Sequence, residues 1–262
     1  LYSGATPEFV DIDNTSYTID PNLVEEKVKM QRLRGKNVKA IIAVDFAGHP
    51  CDWNALKYIA DKYELKLIND NCHAMGAKYK NKKNYAIMYA DIVTQSYHPV
   101  KHITTGEGGA VLTNNNEIYS KIKTLRTHGM VRDFSDNDKT VEPWFYEMRE
   151  LGYNYRITDF QCALGSSQLK KLDNFVTKRN MIAQKYNNEF SNFDCLSIPL
   201  VNKDVFHSYH LYALQINFKK LAITKPNFFN KMKNLGINLQ VHYIPVHLQP
   251  YYKNNFGFSK GD

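Results

Sequence analysis

A lysine placed to lose its proton is the first chemistry this sequence offers. Lys101 lies in Gln95-Ser96-Tyr97-His98-Pro99-Val100-Lys101-His102-Ile103-Thr104-Thr105-Gly106-Glu107-Gly108-Gly109, between the strand-like run Ala90 to Gln95 and a glycine-rich turn that leads into Ala110-Val111-Leu112-Thr113. Such flanks hold the amine on ordered structure. Walled by apolar residues, an amine there sheds its proton and attacks a carbonyl, the activation that a Schiff-base lysine needs. A carboxylate stands upstream at Asp70, ending the run Leu65-Lys66-Leu67-Ile68-Asn69-Asp70. That run follows a helix-like stretch from Trp53 to Tyr63 and reads as the strand closing a β-α-β crossover. Ligands of open α/β sheets bind outside the carboxyl ends of the strands, so Asp70 is placed for chemistry. Taken singly, Asp70 is a turn or capping residue, His73 a satisfied structural histidine and Ser96 an ordinary hydroxyl. Their joint order with Lys101 is what points to a site.

The Lys101 segment resembles the pyridoxal-phosphate lysine motif of the DegT/DnrJ/EryC1/StrS sugar aminotransferases, Ser-(Phe/Tyr)-His-Pro-x-Lys-x-Ile-Thr-Thr-Gly-Glu-Gly-Gly. Ile68 to Ala77 resembles that family's Ile-Glu-Asp-x-x-His-Ala-x-Gly-Ala, with Asn69 standing where the pattern has Glu. A third stretch, Gly152-Tyr153-Asn154-Tyr155-Arg156-Ile157-Thr158-Asp159-Phe160-Gln161-Cys162-Ala163-Leu164-Gly165, is similar to its Gly-x-Asn-x-Arg segment. The resemblance implies pyridoxal 5'-phosphate as cofactor, joined to Lys101, with Asp70 keeping the ring nitrogen protonated so that the ring serves as an electron sink. It implies Cys72 under the ring, His73 near the phenolic oxygen, Ser96 on the phosphate, and Asn154 reaching the phosphate in the neighbouring subunit. Arg156 is the other residue of its segment set aside for function. Thr158 and Asp159 read as the start of a helix.

The same resemblance implies a fold-type-I α/β protein: a large domain over residues 1–190, with a mostly parallel sheet covered by helices on both faces, and a smaller α+β domain over residues 191–262. It implies a homodimer with shared active sites, L-glutamate as amino donor and a UDP-sugar as acceptor. Among the branches of the family, the lysine segment, Tyr146 to Arg156 and Val241 to Tyr252 are most similar to the pseudaminic-acid branch, which aminates C4 of a UDP-linked 4-keto-6-deoxy-2-acetamido hexose. Tyr146, with Trp144 and Phe145, can cover a sugar or uracil face, and His242, Tyr243 and His247 match a stretch at the substrate edge. Either histidine is also at home on the packed face of a strand. The open alternatives are an aminotransferase for a different keto-sugar nucleotide and a catalytically inactive, regulatory relative. A dehydratase of the same fold replaces the lysine by His, and Lys101 speaks against it.

Composition excludes other classes. At 262 residues and 43% hydrophobic content the chain buries a sizeable core. No window approaches the ~18 uncharged apolar residues of a membrane span, and no signal-peptide pattern appears, which places the protein in the cytoplasm. Cys51, Cys72, Cys162 and Cys195 are far apart, which fits reduced thiols and argues against a zinc site. His98 and His102 belong to the lysine motif. The net charge of +8 is spread through Lys/Asn-rich stretches with no nucleic-acid-binding signature, and steers anionic substrates instead.

The elements that must position these residues are legible in order. Asp20-Pro21 opens a helix to about Arg34, Val38 to Asp45 is a strand, and a helix starts near Trp53. Asp70 and Lys101 close two further strands. Glu117 to Arg126 is a helix, residues 131 to 150 read as one long loop, a surface insertion by itself and the border of the sugar site by the resemblance, and a long helix runs from Thr158 into Lys185. Both ends resemble interior points of the family's sequence, so the glycine- and serine-rich turn that cradles the cofactor phosphate is expected upstream of Leu1.

Overall fold

The computed structural model describes residues 1–132, 142 and 144–261. The chain divides into two compact units, one made of Leu1–Asn37, Ile182–Leu200 and Tyr212–Asp262, the other of Val38–Met181 and Val201–Leu211. In the first, helix α1 (Pro21–Leu33) starts as its sequence dictates. Asp20 accepts from the Asn22 N–H at 2.8 Å, and Pro21 occupies a position whose N–H has no helical partner.

The second unit is built on a sheet. Strand β1 (Ala40–Val44) is followed by α2 (Trp53–Lys62), β2 (Lys66–Asp70), the short β3 (Lys78–Tyr79), α3 (Tyr85–Tyr89), β4 (Ile92–Ser96) and β5 (Gly109–Leu112). The sheet order is β1-β2-β4-β5. The first three strands are parallel and β5 runs against β4, the mostly parallel α/β arrangement expected. Side chains alternate across a strand, so Ile41 and Ala43 of β1 are buried while Ile42 and Val44 face outward. Helix α2 is capped by Asp52, which accepts from the Ala55 N–H at 3.2 Å, and turns Trp53, Leu56, Ile59 and Ala60 inward. Trp53 and Leu56 have no exposed surface, and emptying either position costs about 2–5 kcal/mol.

Beyond the sheet, α4 (Asn116–Leu125) covers the helix expected near Glu117. The stretch 131 to 150 departs from a simple loop: β6 (Met130–Val131) and β7 (Glu147–Met148) pair antiparallel at its ends, because backbone groups brought side by side there bond to each other. Residues 133–141 and 143 of that expected loop lie outside the described residues. The long helix expected from Thr158 is two, α5 (Asp159–Leu169) and α6 (Leu172–Phe190). Lys171 N–H bonds the Gln168 carbonyl at 2.9 Å, a tight turn that interrupts the helical ladder between them.

In the first unit β8 (Leu196–Ser197) pairs antiparallel with a strand described below, and Tyr186 stacks on Phe190 at 5.4 Å. In the second unit β9 (Val205–Phe206) pairs antiparallel with β3. The first unit closes with β10 (Gln215–Ile216), the partner of β8, then α7 (Lys225–Asn234), capped by Thr224, and α8 (Pro250–Phe256). Among the described residues no helix is long and apolar enough to cross a membrane, and no three His, Cys, Asp or Glu side chains group to hold a metal ion.

Candidate active site

Strands β2 and β4 are parallel neighbours, with Asp70 opposite Thr94, so their carboxyl ends open on the same sheet edge. Asp70 is the last residue of β2 and Ser96 the last of β4. One Asp70 oxygen accepts from the Cys72 N–H at 3.0 Å, which turns the chain tightly as it leaves the strand. The Cys72 thiol is pushed up to about 12 by burial, then by its bond to Asp70 and the charge of Asp70. It is therefore a protonated, apolar surface and not a nucleophile.

Lys101 does not close a strand; it sits in the loop after Ser96. The reason is local hydrogen bonding that folds 97–108 on itself. Lys101 N–H bonds His98 carbonyl at 2.9 Å, Thr105 N–H bonds Tyr97 carbonyl at 3.0 Å, and Tyr97 N–H bonds Gly108 carbonyl at 2.9 Å. The glycines are sterically required: a side chain on Gly108, at φ +154°, would collide with the Thr105 hydroxyl, and one on Gly109 would meet the Gln95 carbonyl at 2.5 Å. The loop is thus a rigid hairpin holding a half-buried amine. Burial lowers the Lys101 pKa, while the nearby Cys72 and Asp70 pull it the other way. These three groups are close enough to feel one another's charge.

Around His73 and His102 the structure adds neighbours that sequence reasoning missed, His210, His207 and Arg179. His73 is buried, accepts from the Ala47 N–H at 3.4 Å, and has the His210 ring 4.4 Å away. His102, next to Lys101, lies 5.7 Å from the same ring and donates through Nε2 to the Ser208 carbonyl at 3.0 Å. Arg179 of α6 braces that segment through the Tyr209 and His210 carbonyls at 3.0 and 3.3 Å. Burial first, then neighbouring positive or titratable groups, lowers His102 to about 4 and His207 to about 3, so both imidazoles stay neutral. Two buried ring nitrogens, Nδ1 of His102 and Nδ1 of His210, find no hydrogen-bond partner among the described residues. No signal local to 207–210 foretells this. Those histidines reach the Lys101 loop only through tertiary packing.

The other expected site residues are exposed or belong to the other unit. Asn154 is exposed and forms a lone antiparallel bridge with Thr127. Arg156 is exposed, and so is Tyr146, with the Arg132 guanidinium 5.4 Å above its ring. Among the described residues none of the three is hydrogen-bonded to Asp70 or Lys101. His242 and His247 belong to the other unit, where the His247 ring rests 5.6 Å from Phe9.

The donor set fits a phosphorylated pyridine aldehyde: a primary amine that burial helps to deprotonate, a carboxylate at the next strand end, a hydroxyl at Ser96, and buried imidazole nitrogens without partners among the described residues. The sequence model for the DegT/DnrJ/EryC1/StrS aminotransferase family matches residues 1–262. The chain belongs to that family. As a DegT/DnrJ/EryC1/StrS member it is 42% identical, over its whole length, to an uncharacterized protein of Methanocaldococcus jannaschii, of which it covers 66%. It is 40% identical over 258 residues to the UDP-4-amino-4,6-dideoxy-N-acetyl-beta-L-altrosamine transaminase of Campylobacter jejuni serotype O:23/36, covering 98% of itself and 64% of that protein. The structure of Helicobacter pylori PseC, an aminotransferase involved in the biosynthesis of pseudoaminic acid, superposes with a TM-score of 0.85 at 32% identity, over 98% of this chain and 65% of that one. The family fold is therefore fold-type-I α/β, and the chain spans about two-thirds of the length of the relatives it matches.

Proposed function

We propose that this protein is a pyridoxal-phosphate-dependent aminotransferase that moves an amino group from L-glutamate to C4 of a UDP-linked 4-keto-6-deoxy-2-acetamido hexose. The observation that carries this reading is Lys101: a half-buried amine, lowered by burial, within electrostatic reach of Asp70 and Cys72 at adjoining strand ends. The cofactor supplies the electron sink that makes the carbon–hydrogen bond next to the transferred nitrogen acidic. Lys101 would bind it covalently, Asp70 would hold a proton on its ring nitrogen, and Ser96 and the partner subunit's Asn154 would hold its phosphate. The Lys101 Nζ would be the base that takes the proton from the substrate carbon and hands it back. Its lowered pKa serves that role, because a base works only in its neutral form. Cys72 and His73 would pack against the ring, with the Cys72 thiol held protonated by burial. On the sugar side Tyr146, Arg156, His242 and His247 are the substrate candidates.

The names of the Campylobacter and Helicobacter relatives support the UDP-sugar and the pseudaminic-acid branch. Exposed Leu151, Tyr155 and Phe160, beside Asn154, support a homodimer that covers this surface. The wide sequence spacing of the four cysteines, with no Cys-x-x-Cys, supports a reducing, cytoplasmic setting. Borohydride reduction of the protein with its cofactor, followed by peptide mapping, is expected to label Lys101; a label elsewhere overturns the reading. Separate incubations with glutamate and each UDP-4-keto epimer, with NMR of the product, test the sugar. Preference for another epimer, or for a dTDP or GDP sugar, replaces the substrate and keeps the chemistry.

A further inference from the structure

Asp45 lies one residue beyond β1 and has no exposed surface. Its carboxylate is ringed by donors. One oxygen accepts from the Cys51 N–H at 2.8 Å and the Trp53 Nε1–H at 3.0 Å. The other accepts from Asn69 Nδ2 at 3.1 Å, Asn71 Nδ2 at 2.9 Å and the Tyr85 hydroxyl at 2.7 Å. Its own N–H bonds the Asp70 carbonyl at 3.1 Å. Asp45 therefore grips residues 69, 70 and 71 in succession.

Side chains alternate along a strand, so anchoring 69 and 71 on the inward side fixes the direction in which 70 leaves on the other. We propose that Asp45 is the positioning residue for Asp70, holding its carboxylate in the orientation that meets the cofactor ring nitrogen. The inference rests on the aminotransferase reading for what Asp70 meets, and on the hydrogen bonds alone for how Asp70 is held. It also explains Asn69. Asp45 requires a donor there, and the Glu of the family pattern would set a second carboxylate against a buried one. Burial raises the Asp45 pKa, and its donors oppose that rise, so a further acid alongside would leave one of the two carboxyls protonated and the clamp broken.

The test uses the full chain in three forms, wild type, Asp45→Asn and Asn71→Ala, with Trp53→Phe as a comparison that removes a donor on the side away from Asp70. In the cofactor-free protein, ¹³C-carboxyl-labelled aspartate and an Asp70→Asn reference locate the Asp70 resonance. A single shift in wild type and in Trp53→Phe, moving to the random-coil position or broadening in Asp45→Asn and Asn71→Ala, is the expected result. With pyridoxal phosphate added, the same two variants are expected to bind it at least tenfold more weakly by visible absorbance, while Trp53→Phe binds within threefold of wild type. An unchanged Asp70 resonance in folded Asp45→Asn and Asn71→Ala overturns the inference. So does an equal change in Trp53→Phe. If wild type fails to take up pyridoxal phosphate, the aminotransferase reading falls, and the resonance still decides whether Asp45 orients Asp70.

Discussion

Acidification should destabilise this protein through its buried histidines before its carboxylates titrate. His102 and His207 are held near 4 and 3 in the fold, against about 6.5 for a free imidazole, with burial the leading cause. Because the folded values are depressed, the unfolded chain binds more protons at mildly acidic pH, so stability is full above about 6.5 and declines as pH falls below it. Between pH 7.5 and 5.5 each such histidine costs about 1.4 kcal/mol, since the unfolded side chain goes from largely neutral to largely charged while the folded one stays neutral. The two together remove about 3 kcal/mol, and His210, lowered by burial but more open to solvent, adds a smaller share. Against a total stability of roughly 5–15 kcal/mol that loss is large. Urea unfolding of the cofactor-free protein, followed by the fluorescence of buried Trp53, measures it at the two pH values. His102→Gln keeps a donor for the Ser208 carbonyl and does not titrate, so its loss on acidification should be smaller than wild type by about 1.4 kcal/mol. An equal loss in the variant would refute the claim that His102 is buried neutral.

Gly152→Ala should lower the melting temperature by about 4–8 °C in a thermal scan, from roughly 2 kcal/mol of overpacking, because its new methyl meets the backbone of Gly129, His128 and Leu125 and backbone cannot step aside. Thr158→Ala removes the hydroxyl that accepts from the Gln161 N–H and breaks the reciprocal cap of α5, for an expected loss of about 1 kcal/mol by denaturant unfolding. In the proposed homodimer, mixing inactive Lys101→Ala with inactive Asn154→Asp subunits should restore part of the activity, since one site of the hybrid would keep both native residues; mixed dimers without activity would place Asn154 in its own chain's chemistry or in structure alone.

Helices α1, α2 and α4 and strands β1 and β2 were legible because their signals are contiguous. Asp20-Pro21 and Asp52 mark helix starts through side chains that bond an N–H two or three residues on, and β1 shows its strand in an apolar run. The pairing of Asp70 with Lys101 followed from motif spacing, since each residue sits at or just beyond a strand end whose sheet neighbours are set by crossover topology. The break after Leu169 was not legible: no Gly or Pro marks it, and only the bond from Lys171 to Gln168 distinguishes it from continued helix. Nor was the role of Asn69. In sequence it is a departure from a pattern, and only the parallel register of β1 and β2, which brings residue 45 against residues 69 to 71, gives it a partner. The His210 ring beside His73 and near His102, and Arg179 behind it, came from segments far apart in the chain. Caps, turns and periodicity are interactions between near neighbours and can be read along the chain. Which buried polar groups meet is decided by strand register and packing, where a shift of one residue turns each side chain to the opposite face.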